Sequence, residues 1–354
     1  MRDVLAEWKP VVDDAIAEIV PREITQEHME EYFGQPQYEY DLPSIQTAIL
    51  DPTWELLDRG GKRWRPVVFL LLVEAFGENP ADYLPYATIP ELLHTGTIIV
   101  DDIEDGAEMR RGEPALHHIY GADISLNAGN ALYFIPLKII SHNPGELDDS
   151  ARLRAFDMLM YELNRTHLGQ GVDIKWHNET GRTATEAQYL EMCACKTGCL
   201  ARIVARLAAI VTGQSADVEN QVARYAERMS VAFQIGDDIL DIEHSLDLAG
   251  DFGKAFGNDV REGKTTLMVI HVLENAPAAG ADRLVEILNA KENSDDEIME
   301  AIQIMQEANA VEYAREKALE LAREARHELE QLDLDPEASE LLSEFTRFVV
   351  EREV

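Results

Sequence analysis

Residues 91–112 of the chain read ELLHTGTIIVDDIEDGAEMRRG. An apolar run in this stretch ends abruptly in four acids, Asp101, Asp102, Glu104 and Asp105. If the run is a helix, Asp101 and Asp105 lie one turn apart on the same face, where their carboxylates repel each other unless a cation lies between them. Oxygen-only ligands suit Mg²⁺, which commonly binds substrate phosphates as well. Such a cluster alone is more often a solvated helix end, so this stretch does not by itself decide between a metal site and a surface.

A second acidic cluster repeats the first one much later in the chain. Residues 233–241 read FQIGDDILD, and Asp237, Asp238 and Asp241 have the same Asp-Asp-x-x-Asp spacing at the end of an apolar helical stretch. If the two helices face each other in a bundle, the acids form one pocket. Such a pocket would hold several divalent ions, which would bind a diphosphate that carboxylates alone repel. The pair of clusters therefore predicts a metal-dependent diphosphate site.

Basic residues are scarce in this chain, yet several of them follow the glycine-rich and acidic stretches. These are Lys62, Arg63, Arg65, Arg110, Arg111, Lys254 and Lys264. Lys196 adds a cation inside an otherwise apolar helical stretch, where burial without a partner is costly. Each residue alone is typical of solvated surface, but their grouping beside the acids favours an anionic ligand such as a phosphate.

The hydrophobic periodicity is helical almost throughout, and no alternating strand pattern is present. The pattern predicts helices at 3–20, 45–58, 64–76, 83–103, 122–142, 147–175, 184–212, 214–242, 264–275, 281–290, 294–308, 310–331 and 336–352. Residues 64–76 are apolar on every side, as in a helix at the centre of a bundle. We expect an all-α bundle over residues 45–354, with residues 1–44 as an N-terminal helix and irregular connection packed on it.

Composition narrows the class of protein further. The chain has 354 residues, of which 46% are hydrophobic, and its net charge is -36, with 67 acidic and 31 basic residues. The negative field disfavours nucleic acid and anionic membranes, while the apolar content argues against disorder. The excess acidic side chains also repel one another, and a salt-rich cytoplasm would screen this repulsion. We expect a cytoplasmic protein, because residues 1–10 are charged and no apolar run reaches membrane-spanning length.

The three cysteines, Cys193, Cys195 and Cys199, predict buried thiols rather than disulfides or a zinc site.

These motifs, in this order, resemble the trans-isoprenyl diphosphate synthase (polyprenyl synthetase) family from about residue 45 to the end. The matching stretches are Gly60–Pro66, Asp101–Gly112, Gln170–Asp173, Lys196-Thr197, Gln234–Asp241 and Gly253–Lys264, with a similar tail at Phe345–Arg352. The resemblance implies a helical bundle around a deep apolar cavity, usually a homodimer. It implies that an allylic diphosphate is ionised with the help of several Mg²⁺ ions and condensed head to tail with isopentenyl diphosphate, the departing pyrophosphate accepting the proton.

The resemblance also implies a role for each matching residue. Asp101, Asp105 and Asp237 would ligate Mg²⁺, supported by Asp102, Asp238 and Asp241. Arg110, Lys196, Lys254 and Lys264 would bind the allylic diphosphate, and Lys62, Arg65, His94 and Arg111 would bind isopentenyl diphosphate. Thr197 and Gln234 would present dipoles near the allylic cation. Two positions depart from the family pattern: Val100 stands where a histidine is frequent, and Asn130 stands where an aspartate is usual.

Product length depends on the depth of the cavity. By helical spacing, Gly96 and Thr97 face down the cavity before Asp101, and both are small, so the resemblance predicts a geranylgeranyl-class or longer product with a floor at Leu92 or Leu93. A class I terpene cyclase and a non-catalytic subunit of a heteromeric synthase are the alternatives. The complete second aspartate cluster and the cations for a second diphosphate favour condensation.

Overall fold

The computed structural model describes residues 1–179, 181–247, 257–290 and 292–350, and the regular elements in these ranges are helices except for one short pair of strands. The first nine α-helices are α1 Arg2–Ile19, α2 Gln26–Phe33, α3 Leu42–Ile45, α4 Asp51–Asp58, α5 Trp64–Ala75, α6 Leu84–Glu104, α7 Leu116–Ile119, α8 Ala122–Phe134 and α9 Leu137–His142. A π-helical turn, Gln46–Leu50, joins α3 to α4, and a 3₁₀ turn, Pro80–Tyr83, precedes α6.

The remaining helices are α10 Asp149–His177, α11 Glu186–Cys193, α12 Cys199–Val211, α13 Ala216–Asp247, α14 Asn258–Arg261, α15 Leu267–Asn275, α16 Ala278–Leu288, α17 Asp295–Glu307, α18 Ala310–Glu330 and α19 Pro336–Val350. A second π-helical turn, Ala194–Gly198, separates α11 from α12. Two short strands, β1 Met109–Arg110 and β2 Glu113–Pro114, form an antiparallel pair. The all-α prediction is confirmed.

Four local predictions are corrected. The connection expected to be irregular before residue 45 contains α2, Gln26–Phe33, which begins where the Thr25 side chain accepts the His28 backbone N–H. The helix predicted over 184–212 is interrupted by the π-helical turn, and the helix predicted over 122–142 breaks before Pro136, since proline supplies no backbone N–H. The strand pair was not predicted, because two-residue strands are too short to show alternation.

The chain forms two compact units. Unit 1 comprises Met1–Met160, Ile203–Asn220 and Leu334–Leu342. Within it, every residue of α5 except Glu74 is buried, as the sequence predicts for a central helix. The α6 helix packs along α8 and also contacts α1 and α5. Glycines allow the closest approach to α8: a Cβ atom on Gly96 would lie 2.7 Å from the carbonyl oxygen of Gly129.

Unit 2 comprises Tyr161–Arg202, Gln221–Asp333 and Ser343–Val354. Its apolar core draws on α11 and on α13 to α18, and includes Tyr189, Ile235, Ile239, Val260, Val269, Ile270, Leu284, Ile287, Ile298, Ile302, Ala314 and Ala318. Two capping boxes fix where helices begin: Thr185 pairs with Gln188 at α11, and Ser294 pairs with Glu297 at α17. Within the described ranges, no helix is both long and apolar enough to cross a membrane.

Candidate active site

The first aspartate cluster ends α6, as the sequence predicts. Asp102 is buried, and Arg110 donates to one of its carboxylate oxygens through Nε, at 2.7 Å, and through its terminal nitrogen. Asp101 and Asp105 are half-buried. Burial raises the pKa of Asp102, although the Arg110 hydrogen bond opposes this effect. Arg110 therefore neutralises the middle of the cluster.

The β1–β2 hairpin places Arg110 and Arg111. Its turn has positive φ at Arg111 (54°) and Gly112 (82°), as in a type I′ turn, whose first central residue is strained when it is not glycine. Arg59 fixes the hairpin, donating to the carbonyl oxygens of Arg110 at 3.1 Å and Pro114 at 2.9 Å. Sequence reasoning missed Arg59, because carbonyl contacts across such a separation leave no local signal.

A neutral histidine lies among several guanidinium groups in unit 1. Burial lowers the pKa of His94 well below its usual value, and the nearby cations of Arg65 and Arg111 lower it further. The Nδ1 atom of His94 is buried without a hydrogen-bond partner among the described residues. Lys62 is exposed, whereas Arg65 is buried with its guanidinium over the Trp64 ring. Residues from α5, α6 and the hairpin thus create a cationic region suited to an anion.

The second aspartate cluster lies within α13, and neutral groups hold its middle acid. Tyr189 donates its hydroxyl hydrogen to Asp238 at 2.8 Å, and the Gln234 amide donates to the other carboxylate oxygen at 2.9 Å. Thr197 in turn donates to the Gln234 carbonyl oxygen at 3.1 Å. Burial raises the pKa of Asp238 to about 8, and the nearby Asp259 adds to the rise. Asp237 is half-buried beside it.

Asp241 connects the end of this cluster to the following segment. Its two oxygens accept the backbone N–H groups of Asn258 and Asp259, each at 3.2 Å. Lys264 lies 3.2 Å from Asp259 and 2.6 Å from Glu262. Burial raises the pKa of Asp259 to about 6, although Lys264 opposes the shift. Lys254 lies outside the described residues.

The π-helical turn Ala194–Gly198 positions Lys196 and Thr197. The Lys196 ammonium lies 2.6 Å from Asp173 on α10, which compensates its charge. π-Helical turns inside helices occur frequently at functional sites, because the inserted residue changes the direction of the side chains around it. Asp173 belongs to a matching motif, whereas Tyr189 and Arg182 carry no sequence signal. Arg182 donates to the Thr265 hydroxyl at 2.7 Å and to the Leu288 carbonyl at 3.0 Å.

One expectation about α6 is wrong. Gly96 does not face an open cavity, because a Cβ atom there would meet α8 at the Gly129 carbonyl oxygen and, at 2.9 Å, at Leu132 Cβ. Thr97 is half-buried and donates to the His94 carbonyl oxygen at 2.8 Å. Leu92 and Leu93 are fully buried.

The chemistry of the aspartate clusters fits Mg²⁺ bound together with a phosphate ligand. In the part of the chain that the structure describes, no three His, Cys, Asp or Glu side chains already converge on one metal position. Mg²⁺ seldom requires such a cage, because it retains waters and binds through one or two carboxylates plus substrate phosphates. The raised pKa values of Asp238, Asp241 and Asp259 reflect burial of acidic groups, which a cation would relieve.

Fold and motifs together define a trans-prenyltransferase. The sequence profile of the polyprenyl synthetase family matches residues 46–305, and the chain belongs to that family. It is 36% identical to a short chain isoprenyl diphosphate synthase of Methanothermobacter thermautotrophicus, over 86% of this chain and 91% of that protein. It is 30% identical to a geranylfarnesyl diphosphate synthase of Natronomonas pharaonis, over 99% and 98%.

A solved structure agrees with the fold. The geranylgeranyl pyrophosphate synthetase of Pyrococcus horikoshii superposes with a TM-score of 0.83 at 27% identity, over 99% of both chains.

Proposed function

We propose that this enzyme condenses an allylic diphosphate head to tail with isopentenyl diphosphate, giving a product of the geranylgeranyl class or longer. The cationic region around His94 is the observation that carries the proposal. A second diphosphate substrate requires a second anion site besides the metal-assisted one, and Arg65, Arg111 and His94 supply its chemistry. A terpene cyclase, which binds one diphosphate, has no need of that site.

In this proposal, Asp101, Asp105 and Asp237 bind Mg²⁺, and Asp102, Asp238 and Asp241 orient the clusters. Bound Mg²⁺ would neutralise the charge that develops on the departing pyrophosphate. Arg110, Lys196, Lys254 and Lys264 bind the allylic diphosphate. The carboxylates of Asp173 and Asp259 keep two of these lysines in place until the substrate arrives.

The next step takes place on the substrates themselves. The allylic carbon–oxygen bond breaks, the isopentenyl double bond attacks the allylic cation, and a proton passes to pyrophosphate. Thr197 and Gln234 contribute dipoles near the cation. Their hydrogen bond to each other and the bond from Gln234 to Asp238 fix the direction of those dipoles before the reaction. The apolar side chains of α6 exclude water.

In this proposal, side chains of α6 set the length of the product. Because Gly96 lies against α8, Thr97 is the position at which a larger side chain should shorten the prenyl product. Leu92 and Leu93 are the proposed floor. The geranylgeranyl and geranylfarnesyl products named for the relatives support the length class.

One assay tests the reaction and the product together. The protein is incubated with Mg²⁺, labelled isopentenyl diphosphate and allylic primers of different lengths, and the dephosphorylated products are separated by chromatography. We expect elongation to a geranylgeranyl or longer chain. Asp237→Asn should lower kcat at least roughly hundredfold, because it removes a ligand that acts on developing charge. Asp217→Asn, an exposed acid on the same helix, is the matched control.

Elongation that is equally fast in Asp237→Asn and Asp217→Asn would exclude the proposed metal role. Cyclised hydrocarbon made without isopentenyl diphosphate would exclude the condensation itself.

We also propose a homodimer in a salt-rich cytoplasm. Solvent-facing Leu153, Met160, Tyr161, Leu168 and Val172 lie along α10, an apolar stripe that a second copy would cover. The net charge of -36 supports high salt. Light scattering tests the dimer, and a monomer at every KCl concentration would contradict it.

A further inference from the structure

Arg63 differs from its neighbours Lys62 and Arg65 in its contacts. Its side chain is only 3% exposed, and its backbone is left-handed, with φ 50°. Each nitrogen of its guanidinium has a partner within the protein. Nε donates to Asp13 at 2.7 Å, one terminal nitrogen donates to Glu91 at 3.0 Å, and the other donates to the Leu57 carbonyl at 2.8 Å. With a fourth bond to the Gly60 carbonyl at 3.4 Å, four of the five N–H groups of this buried guanidinium are used within the protein, so we do not assign Arg63 to a substrate.

The two acids bring distant segments to this arginine. Glu91 lies on α6, three residues before His94, and its side chain is 4% exposed. Asp13 lies on α1, outside the residues that the family profile matches, and Lys9 also contacts it at 2.7 Å. Burial raises the pKa of Asp13, but the Lys9 and Arg63 hydrogen bonds bring the net shift downward. A charged, partly exposed acid from the N-terminal helix thus extends the buried Arg63–Glu91 ion pair.

These ion pairs hold the turn that carries Lys62. Arg111 donates to the Leu56 carbonyl at 3.1 Å and to the Gly60 carbonyl, close to the carbonyls that Arg63 contacts. A Cβ atom on Gly61 would lie 3.1 Å from Arg63 Nη1 and 3.4 Å from Arg111 Nη2. The two guanidinium groups therefore lie directly against the Gly60-Gly61 backbone, and a shift of Arg63 would move the residues on both sides of it.

We propose that Asp13, Arg63 and Glu91 are positioning residues for isopentenyl diphosphate, through which the N-terminal helix sets the geometry of Lys62, Arg65 and His94. This inference rests on the proposed function for the identity of the ligand. Asp13 acts through Arg63 and does not itself touch substrate. Since the Asp13 carboxylate that links α1 to Arg63 is partly exposed, Asp13→Asn changes this contact and leaves the apolar core as it is.

The test compares two single variants at one KCl concentration. Asp13→Asn removes the proposed link, and Asp14→Asn makes the same change on the exposed neighbouring residue. Affinity for isopentenyl diphosphate is measured by calorimetry in EDTA, where binding depends on side-chain cations rather than metal. Steady-state kinetics then give kcat and the KM of each substrate.

We expect Asp13→Asn to weaken isopentenyl diphosphate binding and raise its KM roughly tenfold, less than the roughly hundredfold that a 1 Å misplacement can cost. The KM of the allylic primer should stay unchanged. In Asp14→Asn, the KM values of both substrates should stay unchanged. Equal values in Asp13→Asn and Asp14→Asn would overturn the inference. A rise in the KM of both substrates would give Asp13 a merely structural role, and this result would also overturn the inference.

The proposed function can fail separately. If the wild type binds isopentenyl diphosphate in an Asp13-dependent manner but never elongates a primer, the function fails and the positioning role stands. If the wild type elongates but Asp13→Asn behaves as the control, only the positioning role fails. Absence of both binding and elongation overturns both.

Discussion

Gly169 on α10 is the position where a single methyl group should have the largest effect on the proposed site. A Cβ atom there would lie 2.7 Å from the carbonyl carbon and 2.8 Å from the Cβ of Cys195, and closer still to the backbone nitrogen of Lys196. These are mostly backbone atoms of the π-helical turn, which cannot rotate away. Gly169→Ala must therefore displace the turn that carries Lys196 relative to Asp173, one helical turn further along α10.

The magnitude follows from two opposing effects. Alanine is about 1 kcal/mol better than glycine inside a helix, but overpacking costs about 1–3 kcal/mol, and backbone contacts this short belong at the upper end. Gly169→Ala should thus lose about 2 kcal/mol. Gly171→Ala, two residues later with open space around its Cβ, should gain about 1 kcal/mol. At about 2 °C per kcal/mol for a large chain, the two melting temperatures should differ by about 6 °C.

Calorimetry at one KCl concentration measures the difference in stability, and primer kinetics measure the functional effect. Gly169→Ala should raise the KM of the allylic substrate, because Lys196 is displaced, while Gly171→Ala retains wild-type values. Equal melting temperatures in the two variants would refute the packing argument. A destabilised Gly169→Ala with an unchanged allylic KM would refute the assignment of Lys196.

Three further predictions concern stability. Gly96→Ala should lower the melting temperature by overpacking α6 on α8, at about 1–3 kcal/mol; an unchanged value would contradict the close approach. Burial raises the pKa of Glu328, but hydrogen bonds from Arg224 and Arg228 bring the net pKa below its usual value. The contribution of Glu328 to stability is therefore complete above its pKa in the unfolded chain. It is lost as the pH falls through the lower pKa of Glu328 in the folded protein. Glu328→Gln should cost about 1–2 kcal/mol at neutral pH, because the two arginines left behind are partly exposed. The cost should be small in strong acid; urea unfolding measures it, and a pH-independent cost would refute this. Raising KCl from about 0.1 to about 1 M, which shortens the Debye length from about 10 to about 3 Å, should raise the melting temperature, and a fall would count against halophilic adaptation.

The helices were predictable because their apolar periodicity is long and regular. The aspartate clusters were predictable for a related reason: each is local in sequence and follows an apolar helical stretch, although only the first cluster ends its helix, since α13 continues to Asp247. The π-helical turn at Ala194–Gly198 was not, since one inserted residue hardly alters the apolar pattern over a whole helix. The Arg111-Gly112 turn was not either, because arginine rarely occupies a left-handed position.

The roles within a motif were harder to predict than the motif itself. Lys62, Arg63 and Arg65 look alike in sequence, yet Arg63 is committed to Glu91 and Asp13, partners 28 and 50 residues away. Gly96 looked like part of a cavity wall because helical spacing gives a direction but not the neighbour in that direction. Tyr189 gave no signal at all, because its partner Asp238 is 49 residues later.

The two aspartate clusters also bear on attempts to redesign this enzyme. They share one spacing, but Arg110, eight residues on, anchors Asp102 with a full positive charge, whereas Tyr189 and Gln234 anchor Asp238 with neutral donors. The five-residue clusters Asp101–Asp105 and Asp237–Asp241 therefore cannot replace each other. Transplanting one in place of the other would carry over the acids but leave their anchors behind, so any graft must include the supporting residues as part of the same unit.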